Sequence, residues 1–277
     1  MLSTTCIRMR GPRRRLKKNG AVIVRKFLSG AETAELQSVV HAIYEAMAEI
    51  GTFADAHMER HFRQWNGVWL EHLPGLLGCC DRDLAARYRG VIELIARRTQ
   101  RVFGDGWHFF ALRSFLRRHI GTNRILPWHI DADAAQTNRA HCINVWLPLD
   151  AVGADRPSVD VVLGSHLKMR ELPLLPGGMC DRDEAFVASV GPATSSRLNP
   201  GDALVFDHFT LHRTQPWHSE NFSRTACELR FFFEAPILSN LKKLRSAMPA
   251  RLKRATARLG IVVRRGFVGD SQGGIAR

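Results

Sequence analysis

The sequence predicts a mainly β fold, a β-sandwich or barrel with helices packed outside it. Two features carry that expectation. Helical periodicity dominates before about residue 107, and after it come short apolar runs separated by Pro, Gly and Asp turns. At 277 residues and 45% apolar content, the chain suits one large domain or two small ones and can bury a substantial core.

Residues 1–20, MLSTTCIRMRGPRRRLKKNG, contain no acidic side chain and are expected to form a flexible basic arm. An organelle transit peptide would share that composition. AVIVRKFL follows as a short strand. Ser29 then stands where a helix N-cap belongs, and Leu36, Val39, Val40, Ile43 and Met47 fall on one face of the helix it would start. DRDLAARYRGVIELIARRTQRVF gives a second helix, with Leu84, Tyr88, Val91, Ile92 and Ile95 at spacings of three and four.

The strand-like runs are WHFFALRSFLRR, HCINVWLPLD, SVDVVLGS, SSRLNPGDALVFD and RTACELRFFFEA. From residue 237 the pattern turns helical again, with Leu238, Leu241, Leu244, Leu252 and Leu259 in register and Pro249 as a break. The expected organisation is therefore an arm (1–20), a single domain (21–236) and a basic amphipathic tail (237–277). The tail either packs its leucines on the core or lies against an anionic carrier protein or membrane surface.

The formal net charge of +14 is unevenly spread. Residues 1–31 hold nine Lys/Arg and no acid, residues 237–277 hold ten and only Asp270, and the 205 residues between them are mildly acidic. A nucleic-acid groove through the body is disfavoured, whereas the ends suit an anionic partner. No apolar run has the length of a transmembrane segment, and the basic N-terminus lacks a signal-peptide apolar region. The six cysteines form no CxxC, as expected for reduced thiols in a cytoplasmic protein.

The chemistry-bearing stretch is LPWHIDADAA. In extended chain, residues i and i+2 share a face, so His129 and Asp131 can aim an imidazole and a carboxylate at one point. A third ligand must come from a distant segment, and His212 in NPGDALVFDHFTLHRTQP is the candidate. Two histidines and one carboxylate on one face of a metal leave the opposite positions open, as in non-haem Fe(II) oxygenases. Taken alone, H-x-D is a weak signal that many solvated turns share. Asp133 is a rival ligand expected in a supporting position. His57 and His61 in HMERH have helical metal spacing but lack a zinc protease's H-E-x-x-H order, and a surface helix is expected there. His208 and His212 are also four apart, in a strand-and-turn context where that spacing does not converge.

WHID, INVWLPLD, VVLGSH, NPGDALVFD…LH and ENFSRTACEL together resemble the phytanoyl-CoA dioxygenase family of Fe(II)/2-oxoglutarate-dependent oxygenases, in the family's order across roughly residues 107–235. The resemblance implies a double-stranded β-helix (jelly-roll, cupin-like) core packed against N-terminal helices. It implies Fe(II) on His129, Asp131 and His212, and 2-oxoglutarate as cosubstrate with its distal carboxylate on Arg224. It also implies that Thr214 and Trp146 help line the cosubstrate pocket. Arginine suits that role because its planar fork stays charged and binds a carboxylate through two donors. On the strand from Arg224, alternation puts Arg224, Ala226, Glu228 and Arg230 on the lumen face. Arg230 is thus either an alternative anchor or the partner of Glu228.

The implied reaction is O2-dependent hydroxylation of an aliphatic carbon in a small-molecule, CoA-linked or carrier-linked substrate, with release of succinate and CO2. Halogenating relatives carry a small residue in place of the carboxylate, so Asp131 favours a hydroxylase. The sequence departs from the family pattern at Ile130, where glutamine is common, and in GADRPSVDVVLGSH, which lacks the frequent Asn-Gly turn. Two other readings use the same residues. An oxidative demethylase of nucleic acids would share the triad and an R-x5-R pair such as Arg224/Arg230. A metal-free β-helix binding module would leave the triad without a purpose.

Overall fold

The computed structural model describes residues 4–50, 56–74, 77, 81–120, 126–132, 141–172, 183–217, 219 and 222–233. The chain divides into two compact units, Met1–Phe233 and Glu234–Arg277. The expected basic tail, with its leucines and Pro249, lies outside the described residues, as do Asp133 and the side chain of His57.

The N-terminal segment is a helix, α1 (Thr4–Asn19), where composition had predicted a flexible arm. Leu16 explains the difference. It buries on the main core, and the turn after it closes at Gly20, whose N–H donates to the Leu16 carbonyl at 2.8 Å. Lys17 and Lys18 sit in the last turn, where the helix dipole favours cations.

Strand β1 (Ala21–Val24) follows, and then α2 (Gly30–Glu49), begun by a full capping box between Ser29 and Glu32. Next come α3 (Ala56–Trp65), β2 (Gly67–Trp69) and α4 (Arg82–Phe103), the last N-capped by Asp81. The predicted apolar faces of α2 and α4 are buried as read, including Leu36, Val40, Ile43, Val91 and Ile95.

The remaining elements are β3 (Trp107–Ile120), β4 (Cys142–Pro148), β5 (Val159–Val162), α5 (Ser165–Glu171), α6 (Glu184–Val190), β6 (Ala193–Ser195), β7 (Ala203–Asp207), β8 (His212–Thr214) and β9 (Ser223–Phe233). They form two antiparallel sheets, six strands in the order β1-β7-β4-β9-β3-β2 and three in the order β6-β5-β8. This is the cupin-like architecture of the double-stranded β-helix, with helices on its outside.

Period-2 alternation sorts the side chains of the large sheet. Ile143, Val145, Ala203, Val205, Cys227, Leu229 and Phe231 face the helices and share one core with α2 and α4. Trp146, Leu204, Phe206 and Ala226 face inward with Val159 and Val161 of the small sheet. A third cluster, including Trp128, Ile130, Phe209 and Leu211, packs with Met169 of α5 and Val187 of α6. Among the described residues no helix is long and apolar enough to cross a membrane.

Strand β3 does not keep one parity. Between Phe110 and Phe115 it advances five residues while its partner β9 advances only from Arg230 to Glu228. The three extra residues form a bulge and exchange the faces of the strand. Beyond it Phe115, Arg117 and His119 pair with Glu228, Ala226 and Arg224 and share the lumen side, while Leu116 joins the helix-facing core.

Candidate metal centre and cosubstrate pocket

His129 lies in an irregular segment tied to β8 by an isolated bridge. The His129 N–H donates to the His212 carbonyl at 2.9 Å, and the His212 N–H donates back to the His129 carbonyl at 3.0 Å. Asp131 is placed by its own N–H, which donates to the His208 carbonyl at 2.9 Å. The three side chains therefore meet although 83 positions separate the histidines. Their candidate ligand atoms lie within 4.8 Å of one another, and no other His/Cys/Asp/Glu group among the described residues has this arrangement.

Protonation suits metal binding. His129 Nδ1 lies 2.7 Å from the Pro127 carbonyl and His212 Nδ1 lies 2.9 Å from the Thr210 carbonyl. A carbonyl only accepts, so each ring carries its proton on Nδ1 and turns the Nε2 lone pair toward Asp131. Burial pushes His129 down to about 4 and lowers His212 as well, which keeps both rings neutral near pH 7. Burial alone would raise the Asp131 carboxyl. The charge of Arg230, the adjoining His212 and His129 rings and a hydrogen bond from Asn144 overcome it and hold the carboxyl below the usual range. Two neutral imidazoles and an ionised carboxylate are the donor set an Fe(II) ion takes.

A cavity of about 550 Å³ opens beside these residues, within the range of small-molecule sites, roughly 300–1,000 Å³. Trp146, Thr214 and Arg224 are among the residues that line it. Arg224 is buried, and its guanidinium carbon stands 5.3 Å from the Trp146 ring centre. Its Nη1 donates to the carbonyls of Pro157 and Ser158 at 2.7 and 3.0 Å, and among the described residues its Nε finds no partner and no carboxylate bonds it. Burial pushes its pKa down to about 9. A buried guanidinium at a cavity wall with unused donors matches the distal carboxylate of a dicarboxylic acid.

Arg230 is engaged elsewhere. Its Nη2 lies 2.9 Å from Asp131 Oδ1 and 3.2 Å from Glu228 Oε1. The predicted ion pair with Glu228 is present, but it is the lesser part of the contact. Burial, reinforced by the charge of Asp131, raises the Glu228 carboxyl.

Part of the cavity wall is aromatic, and no motif of the sequence points to it. His61, expected on a surface helix, is buried, with its ring centre 4.1 Å from Trp65 and 4.7 Å from Trp69, and Trp69 lies 5.3 Å from Phe115. The cause is β2, which pairs with β3 at the edge of the large sheet and brings α3 against these two strands. Ile130 both lines the cavity and packs with Trp128 and Phe209. His208 is not part of the triad. Its Nδ1 donates to the Cys142 carbonyl at 2.8 Å, and burial pushes it down to about 4.

The family model for phytanoyl-CoA dioxygenase (PhyH) matches residues 16–226. No curated protein sequence matches the chain. Solved structures share the fold at low identity. EctD from S. alaskensis, with 2-oxoglutarate and 5-hydroxyectoine, aligns with TM-score 0.59 and 18% identity over 81% of this chain and 77% of that one. The non-haem α-ketoglutarate-dependent epimerase SnoN from nogalamycin biosynthesis aligns with TM-score 0.56 and 16% identity over 83% and 87%. EvdMO1 aligns with TM-score 0.58 and 20% identity over 82% of this chain, which spans about half the length of EvdMO1, 50%. With the family model covering most of the chain and the His-Asp-His group assembled in its β-helix, the protein belongs to the phytanoyl-CoA dioxygenase family of Fe(II)- and 2-oxoglutarate-dependent oxygenases.

Proposed function

We propose that the protein is a hydroxylase. It would convert an aliphatic C–H of a small-molecule, CoA-linked or carrier-linked substrate to C–OH, while O2 and 2-oxoglutarate are consumed and succinate and CO2 released. The observation that carries this reading is the convergence of His129, Asp131 and His212 beside a buried Arg224 that bonds no carboxylate among the described residues. Folding alone has no use for both. Iron and 2-oxoglutarate, when bound, supply the oxidising power for the C–H bond.

The chain's own residues then have separate tasks. His129 and His212 present Nε2 lone pairs, and Asp131 presents negative charge, all from one side. Arg224 holds the distal carboxylate of the cosubstrate, with Trp146 and Thr214 beside it. The apolar lumen of Phe206, Val159 and Ala226 excludes water from the reacting groups. Asp131, where a halogenase would carry a small residue, supports hydroxylation as the outcome. A cavity of about 550 Å³ admits the reacting end of a CoA- or carrier-linked molecule and leaves the carrier outside. Cys142 and Cys227 are free thiols, which suits the cytoplasm. The basic tail provides an anionic carrier or membrane surface with a place to dock.

The test is anaerobic titration of the purified protein with Fe(II) and 2-oxoglutarate, read by the visible charge-transfer band of the chelate. A band that saturates at one equivalent supports the reading. Its absence, together with no succinate released under any substrate screen, removes it.

A further inference from the structure

We propose that Asn144 and Arg230 are positioning residues that fix the Asp131 carboxylate from both of its oxygens and hold it as a single-oxygen ligand. This rests on the reading of His129, Asp131 and His212 as iron ligands. Asn144 on β4 and Arg230 on β9 are direct cross-strand partners, so one register puts both donors over the same point of the lumen. Arg230 Nη2 takes Oδ1 at 2.9 Å, and Asn144 Nδ2 donates to Oδ2 in a short contact.

Asn144 has little other reason to be where it is. It is fully buried in a strand whose neighbours Ile143, Val145, Trp146 and Leu147 are all apolar, and its Oδ1 finds no partner. A buried amide of this kind is costly unless one of its ends has a task. The orientation of the amide follows from chemistry, because the carboxylate only accepts and Oδ1 turned toward it would be repelled. Arg230 is held in turn. Its backbone N–H donates to Ser114 Oγ at 2.9 Å, and the same Nη2 that meets Asp131 also donates to Glu228 Oε1 at 3.2 Å.

The consequence concerns geometry at the metal. A carboxylate free to turn can bring both oxygens onto a metal and close a position that cosubstrate or O2 needs. With one donor on each oxygen in fixed directions, rotation breaks a hydrogen bond, and one lone pair stays aimed between His129 and His212. The same contacts settle the division of labour between the two arginines of β9: Arg230 serves the metal ligand, and Arg224 is left for the cosubstrate.

The experiment uses Co(II) as the probe, titrated into the metal-free full chain and followed by visible absorption, with the melting temperature of each metal-free variant as the fold control. Asn144→Leu keeps the volume and removes the donor. It should weaken Co(II) binding by about 10- to 100-fold and lower the band intensity per bound ion, as a second carboxylate oxygen joins the metal. Arg230→Met should change the band in the same direction, and Arg230→Lys should restore most of it. Variants that melt like the wild type and keep its affinity and spectrum overturn the proposal. Should Asn144→Leu fail to fold, the Arg230 pair decides alone. A wild-type protein that binds no Co(II) would instead remove the oxygenase reading on which the proposal rests.

Discussion

The imidazoles of His129 and His212 lie with ring centres 4.1 Å apart on backbones that exchange both N–H···O bonds of a β-bridge. Main-chain pairing therefore sets the spacing of the two candidate iron ligands, and each ring is oriented by a carbonyl at its Nδ1. Removing a ligand side chain should then leave the scaffold standing. His129→Ala and His212→Ala should each abolish Fe(II) binding and 2-oxoglutarate decarboxylation, with little change in melting temperature. Collapse of the fold in both variants would show that the pair is structural.

Arg224→Ala should separate cosubstrate binding from metal binding. Loss of two charge-assisted hydrogen bonds corresponds to about a 100-fold rise in the KM for 2-oxoglutarate or more, with the Kd for Fe(II) near the wild-type value. Calorimetry with each ligand distinguishes the two. An unchanged KM would return the anchor to another residue.

The pH dependence has a definite sign. His129 and His208 are pushed down to about 4 by burial, below their unfolded value of about 6.5. Above pH 6.5 both states carry neutral rings and nothing is lost. As pH falls from 6.5 toward 4 the unfolded chain takes up protons that the native chain refuses. Stability therefore declines by up to about 3 kcal/mol for each ring. The Asp131 carboxyl, held low in the native state, adds its own loss only below about pH 4. Urea midpoints of the metal-free protein should drop between pH 7 and 4.5, and a flat profile would mean that these rings are not buried as neutral groups.

Gly20→Ala tests how the first helix is docked. Gly20 has a positive φ of 74°, and an added Cβ would meet His166 Nδ1 at 2.4 Å and Thr210 Oγ1 at 2.8 Å. Its carbonyl already accepts from Thr210 Oγ and from the Asp207 N–H, so the backbone cannot easily retreat. A loss of about 2–4 kcal/mol is expected, read as a melting temperature lower by several degrees. An unchanged melting temperature would show that α1 is not held closely against His166 and Thr210.

How legible all this was depends on range. The cap at Ser29, the apolar faces of α2 and α4 and the five strand runs follow from local chemistry, and they are where the sequence pattern puts them. The alternation of β9 correctly put Arg224, Ala226, Glu228 and Arg230 on the cavity side. The triad was legible only through its companion motifs, since no local rule joins His129 to a residue 83 positions later. Other parts were hidden for physical reasons. The basic arm is helical where its packing, with Leu16 buried on the core, adds a contribution that composition cannot weigh. The aromatic wall of His61, Trp65 and Trp69 depends on the strand pairing of β2. Asn144 carries no local signal, because its place depends on its cross-strand partner Arg230.

The least legible feature, the bulge in β3, gives the last prediction. Ser114 holds it: its Oγ–H donates to the Phe110 carbonyl at 2.6 Å, and its Oγ accepts the Arg230 N–H at 2.9 Å. It thereby bridges both strands at the point where the faces exchange, fully buried. Ser114→Ala leaves the Phe110 carbonyl and the Arg230 N–H short of a partner, at a cost of about 1–3 kcal/mol. The effect should be local as well as global. With the bulge loosened, the residues after it lose their fixed parity, and Phe115 and Arg117 no longer stand steadily over Glu228 and Ala226. Hydrogen exchange should therefore quicken at the β3–β9 amides near Arg230 more than in the β4–β7 pair. Uniform protection with a stability change below about 0.5 kcal/mol, the range of an inconsequential surface substitution, would mean that the extra residues hold the bulge by packing alone.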